Sequence, residues 1–115
     1  MAQYHEPIEL LDEKTMNITR AINSLKEELE AVDWYNQRVA ATSDPELKGI
    51  MAHNRDEEIE HACMAIEWLR RNMDKWDEEL RTYLFVDGSI LEAEESEAAP
   101  ESVNISGIHI GDLKK

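Results

Sequence analysis

The chain has 115 residues, which suits one small domain. Its formal charge of −14 argues against nucleic acid as a partner, because phosphate binding needs Lys and Arg. Four Gly, three Pro and abundant Glu, Leu, Ala and Lys favour helix. A single cysteine, Cys63, excludes an intrachain disulfide and points to a reducing compartment. The beginning, "MAQYHEPIELL", has no basic and apolar leader, and no apolar run is long enough for a membrane span. These features together predict a cytoplasmic protein.

Residues 6–41 read as one long helix, with Pro7 in its first turn. Leu11, Ile18, Ile22, Leu25, Leu29 and Val32 recur at helical spacing and form an apolar stripe. The stretch "ATSDPELKG" breaks this helix and starts another near residue 45. Ser43 and Asp44 are N-cap types, Pro45 suits the first position and Glu46 the first turn. The stripe of the second helix is Leu47, Ile50, Met51, Asn54, Glu58, His61, Ala65, Trp68 and Leu69, ending near residue 71. A short third helix, capped by Asn72 or Asp74, is expected to end near Phe85. Residues 1–90 are thus taken as one helical domain.

Residues 91–101 are acidic, small and contain Pro100, and read as a disordered linker. Residues 102–115, "SVNISGIHIGDLKK", hold five aliphatic residues without helical period. A solvated tail has no need of them, so this segment reads as a tethered docking peptide or as a terminal strand that folds back.

The stripe of the second helix contains a carboxylate and an imidazole. At 100° per residue, with Leu47 at zero, Glu58 falls near about +20° and His61 near about −40°. Glu57 and Glu60 fall well outside that sector. An inward carboxylate needs an offsetting positive charge, and the predicted inward stripes carry neither Arg nor Lys. A metal ion is the natural alternative. Glu-x-x-His places both side chains on adjacent turns of one face, as in di-iron helical bundles.

A hairpin with its turn near Ser43 sets Glu28 and Glu58 at one height, roughly 20 Å from the turn. Glu28 lies on the edge of the first stripe, and Tyr35 on the same side two turns nearer the turn. One chain then supplies Glu28, Glu58 and His61. A two-fold dimer doubles the set to the complement of a di-metal four-helix bundle. Carboxylates with one imidazole per ion suit iron or manganese better than zinc or copper. On the outer side of the first helix, Glu27, Glu30 and Trp34 lie together as a second candidate contact for cations and another subunit. His53 and Glu57 share an outer sector of the second helix.

Over residues 5–90, most specifically at "EELEAVDWY" and "HNRDEEIEHA", the sequence resembles the encapsulated ferritins, cargo of encapsulin nanocompartments. The resemblance implies an all-α fold: a long antiparallel hairpin plus a short third helix, completed by dimerisation into a ferritin-like four-helix bundle with a disordered C-terminal tail. It implies a ferroxidase, with Fe2+ oxidised by oxygen at a di-iron site between two chains. Glu28, Glu58 and His61 would be the ligands and Tyr35 would lie near the metals. Glu27, Glu30 and Trp34 would form a metal-entry site, and the dimers would assemble into a decameric ring. "IHIGDLKK" resembles an encapsulin cargo peptide, with Ile108, Ile110, Gly111 and Leu113 as docking residues and Asp112 where a small polar residue is more usual. Iron storage would then take place inside the encapsulin shell. The rival readings are a non-catalytic iron or manganese binder and a purely structural dimeric bundle.

Overall fold

The computed structural model describes residues 3–98; the docking residues Ile108, Ile110, Gly111 and Leu113 lie outside them. Among the described residues the regular elements are helical: a 3-10 turn at Ile8–Leu10, then α1 Glu13–Ala41, α2 Pro45–Asn72, α3 Asp74–Tyr83 and α4 Ile90–Ala98. The chain divides after Asn72 into two units, the first holding α1 and α2 and the second α3 and α4.

The first helix begins later than its sequence suggests. Pro7 caps only the 3-10 turn, which leaves Leu11 outside α1. Asp12 is the N-cap of α1, and its carboxylate accepts a hydrogen bond from the Thr15 N–H at 2.8 Å. That bond satisfies an N–H that the helix itself cannot. The Thr15 contact also holds the Asp12 carboxyl below its usual range.

The turn between α1 and α2 follows its sequence signals closely. The Thr42 N–H donates to the Arg38 carbonyl at 3.1 Å and closes α1. The Asp44 carboxylate accepts from the Glu46 N–H at 3.1 Å and opens α2, with Pro45 first in the helix. Cross-helix partners show the two helices to be antiparallel. Lys48 Nζ donates to the Val39 carbonyl at 2.6 Å near the turn, and Arg55 Nη1 donates to Asn36 Oδ1 at 3.0 Å farther from it.

The hairpin closes little core. No residue of α1 is buried, and in α2 only Ala62 and Leu69 are. Ala62 was not on the expected stripe. Leu47, Ile50 and Trp68 of α2 and Ile22 and Leu29 of α1, all expected to face inward, are exposed, as is Ile59. Two helices can cover only one sector of each other, so an apolar stripe wider than the seam stays open.

In the second unit α3 starts after Met73, which makes no side-chain cap. Neither expected cap serves: Asp74 is the first helical residue, and the Asn72 amide donates back to the Trp68 carbonyl at 2.8 Å, closing α2. The helix ends at Tyr83, before Phe85, which takes a φ of 60°. A left-handed residue at that place stops an α-helix. The stretch expected to be a disordered linker is α4 as far as Ala98. Ser89 starts it: its hydroxyl accepts from the Leu91 N–H at 3.2 Å and the Glu92 N–H at 3.4 Å, and the Ala and Glu that follow are strong helix formers. No described helix is long and apolar enough to cross a membrane.

Candidate metal centre

The hairpin brings Glu28 of α1 to Glu58 and His61 of α2. Each residue offers one ligand atom, and these atoms all lie within 4.8 Å of one another. His61 Nδ1 is 3.6 Å from Glu28 Oε1 and 3.4 Å from Glu58 Oε1. The spacing of three residues stacks Glu58 and His61 on consecutive turns, and the antiparallel register delivers Glu28 at their level. Among the described residues this is the cluster of His, Cys, Asp or Glu groups that converges as a metal-binding set.

Burial in the cluster is graded. The Glu28 and Glu58 side chains are 25% and 26% exposed, and His61 is 45% exposed. The two carboxylates therefore lie in the seam, while His61 stands at its open rim rather than on an inward stripe. The Glu28 carboxyl is held above its usual range. The largest cause is a hydrogen bond shared with the Glu58 carboxyl, followed by partial burial and the like charge of Glu58. His61 pulls in the opposite direction. A cation beside Glu28 and Glu58 would offset that like charge.

The donor set fits a hard or borderline divalent cation: two carboxylates and one imidazole, with ligand atoms converging from two rigid helices. Three protein ligands leave coordination positions open.

Tyr35 is half-buried on α1, with the Arg38 guanidinium 5.2 Å from its ring centre. Glu27, Glu30 and Trp34 are exposed on α1, and Trp34 borders a shallow hollow with Gln37, Arg38 and Ala41. They do not join Glu28, Glu58 and His61 in the cluster. His53 and Glu57 form an exposed ion pair at 3.2 Å on α2. Cys63 is exposed as a free thiol.

One residue near the cluster escaped the sequence reading. Arg55 lies one turn before Glu58, its side chain is only 27% exposed, and it reaches across to α1. Its helical position, on the edge of the apolar stripe, was the available signal. A long side chain can enter a seam from an edge.

Comparison with known proteins identifies the family of the hairpin. The EncFtn-like family model matches residues 3–87. An encapsulated ferritin-like protein of Rhodospirillum rubrum is 63% identical over 97 residues, 84% of this chain and 69% of that protein. A ferritin-like protein of Thermotoga maritima is 58% identical over 105 residues, 91% of each. A crystallised protein of Nitrosomonas europaea superposes with a TM-score of 0.74 at 56% identity, covering 77% of this chain and 99% of the other. A ferritin-like helical hairpin with a carboxylate and histidine cluster in its seam, matched by that family along most of its length, makes this chain a member of the encapsulated ferritin family.

Proposed function

We propose that this chain is a ferroxidase subunit. Two copies would pair through their open seams, Glu28, Glu58 and His61 of each facing those of the other, with Fe2+ as substrate between them. The observation that carries this reading is the convergence of Glu28 with Glu58 and His61 within 4.8 Å. Two features support the pairing. The hairpin leaves Ile22, Leu29, Ile59 and Trp68 exposed, apolar surface that a second copy can cover. The three ligands also form half of the four-Glu, two-His complement of a di-iron bundle, which a two-fold axis supplies.

In this mechanism the Glu28 and Glu58 carboxylates would draw Fe2+ into the seam, where its charge offsets their mutual repulsion. His61 adds one neutral nitrogen per ion from the solvent side. With two Fe2+ ions held between the helices of two chains, each would give one electron to a single dioxygen, which with two protons from solvent would leave as hydrogen peroxide. Fe3+ then leaves for storage. Tyr35 would lie near the metals, and exposed Glu27, Glu30 and Trp34 would receive incoming ions.

The hairpin encloses no store of its own, so storage needs a surrounding shell. A relative is named an encapsulated ferritin-like protein, which supports an encapsulin compartment as that shell. Ile108, Ile110, Gly111 and Leu113 would dock the chain there, and the dimers would close into a decameric ring.

Oxygen uptake on adding Fe2+ tests the reading. The wild type oxidises iron; His61→Ala loses turnover while its circular dichroism stays helical. Full-rate oxidation by His61→Ala would falsify the assignment. Anaerobic Fe2+ titration followed by oxygen separates turnover from simple binding.

A further inference from the structure

The cluster needs α1 and α2 held at one axial register, and the seam has little apolar packing to set it. No side chain of α1 is buried, and α2 buries only Ala62 and Leu69. Directional bonds resist sliding. Arg55 supplies one: its Nη1 donates to Asn36 Oδ1 on α1 at 3.0 Å, while its Nε donates to Asp56 Oδ1 on its own helix at 3.0 Å. The planar guanidinium therefore spans both helices, with its two donors fixed relative to each other. Glu58 follows Arg55 by three residues, so both stand on the same side of α2. A slip of α2 along α1 that separates Glu58 from Glu28 also breaks the Arg55–Asn36 bond.

We propose that Arg55 is a positioning residue for the metal centre, acting through Asn36 to lock the hairpin in the register at which Glu28 meets Glu58 and His61. This rests on the metal-centre reading above. The alternative is that Arg55 acts only by its charge, one turn from Glu58.

The test measures anaerobic Co2+ affinity, and KM and kcat for Fe2+ oxidation, in the full-length chain. The variants are Arg55→Ala, Arg55→Lys, Asn36→Ala, Asn36→Asp and the double Arg55→Ala/Asn36→Ala. Co2+ serves as a probe that is not turned over. The expected result is that Arg55→Ala and Asn36→Ala each weaken Co2+ binding and raise the Fe2+ KM about tenfold, the lower end for residues that orient metal ligands. kcat at saturating iron changes little. The double variant is no worse than the worse single, because the two residues act as one unit. Asn36→Asp keeps the acceptor and binds like the wild type. Arg55→Lys keeps the charge, loses the fork and binds like Arg55→Ala.

Wild-type affinity in both Arg55→Lys and Asn36→Ala overturns the proposal in favour of charge alone. Additive losses in the double variant also overturn it. Lys48→Ala, which removes the 2.6 Å tie to Val39 near the turn, is the stability control. If it lowers Tm and Co2+ affinity in the same proportion as Arg55→Ala, Arg55 is merely structural. Should Arg55→Ala fail to fold, the Asn36 pair decides alone. A wild type that neither binds Co2+ nor oxidises Fe2+ sinks the metal-centre reading; a binding wild type with unaffected variants sinks only the role of Arg55.

Discussion

Glu28→Gln should make the metal-free protein more stable and the metal-loaded protein less stable than wild type. Glu28 and Glu58 offer oxygens within 4.8 Å of one another. Two unit charges at that distance repel by about 0.9 kcal/mol in water, and a lower local dielectric raises this. The carboxylates are about a quarter exposed, so the water value is the safer guide. His61 offsets part of the repulsion. An amide at position 28 removes one charge yet still donates or accepts a hydrogen bond toward Glu58. In a chelating buffer the variant should therefore gain up to about 0.9 kcal/mol, a rise in Tm of roughly 4–7 °C for a domain of this size. Added Co2+ at a hundredfold excess over its Kd should stabilise the wild type by about 2.7 kcal/mol. The variant has lost a ligand charge and gains far less. The two melting curves therefore exchange order when metal is added, which thermal denaturation followed by circular dichroism reads directly. A Glu28→Gln protein that melts lower in chelator and keeps the full Co2+ shift would refute the reasoning, since Glu28 would then be neither repelled by Glu58 nor bound to metal.

Further outcomes concern the helices that hold the site. Arg70 and Arg71 hold the Glu67 carboxyl down at about 2, through contacts of 2.9 Å and 2.7 Å. A depressed folded-state value gives stability that is present above the ordinary 4.5 and is lost as pH falls toward 2, so Glu67→Gln should flatten the acid limb of a pH–stability curve in that window. Gly49 lies inside α2, and a Cβ there meets nothing within 4 Å, so Gly49→Ala should stabilise by about 0.5–1 kcal/mol in urea denaturation. Asp12→Ala removes the acceptor for the Thr15 N–H, and hydrogen exchange should quicken in the first turn of α1 while α2 stays protected.

The cluster was legible in the sequence because two independent periodicities meet there. Angle around α2 selects Glu58 and His61, and distance from the Ser43 turn selects Glu28. The turn was legible because Asp44 and Pro45 carry agreeing signals. Where signals competed, reading failed. Pro7 and Asp12 can each open a helix, and only Asp12 has a side-chain carboxylate to accept from the N–H three residues on. Asn72 suits a cap on either side, and its amide turned back to Trp68. The acidic run after Ile90 has a composition shared by disordered chains and by helices, and the Ser89 hydroxyl settles it locally. Arg55 was missed for a different reason. Helical angle locates Cβ, whereas the guanidinium lies several bonds away and crosses to the other helix. The half-exposed position of His61 was equally out of reach, since pattern gives a direction but not how far around α2 the facing helix reaches.

The short turn at Thr42–Asp44 has a consequence in time. The ligands of the cluster lie within 34 positions of one another, from Glu28 to His61, and a tight reversal joins the helices that carry them. Contacts that zip up from a tight turn carry less loop-closure cost than their separation of about 30 residues suggests. Each newly made chain can therefore arrange its three ligands by itself, on the timescale of one helical hairpin. Meeting a second chain is a slower, concentration-dependent event. Folding would thus deliver ligand triads, and, if two chains pair as proposed, their encounter would set when the triads can work together.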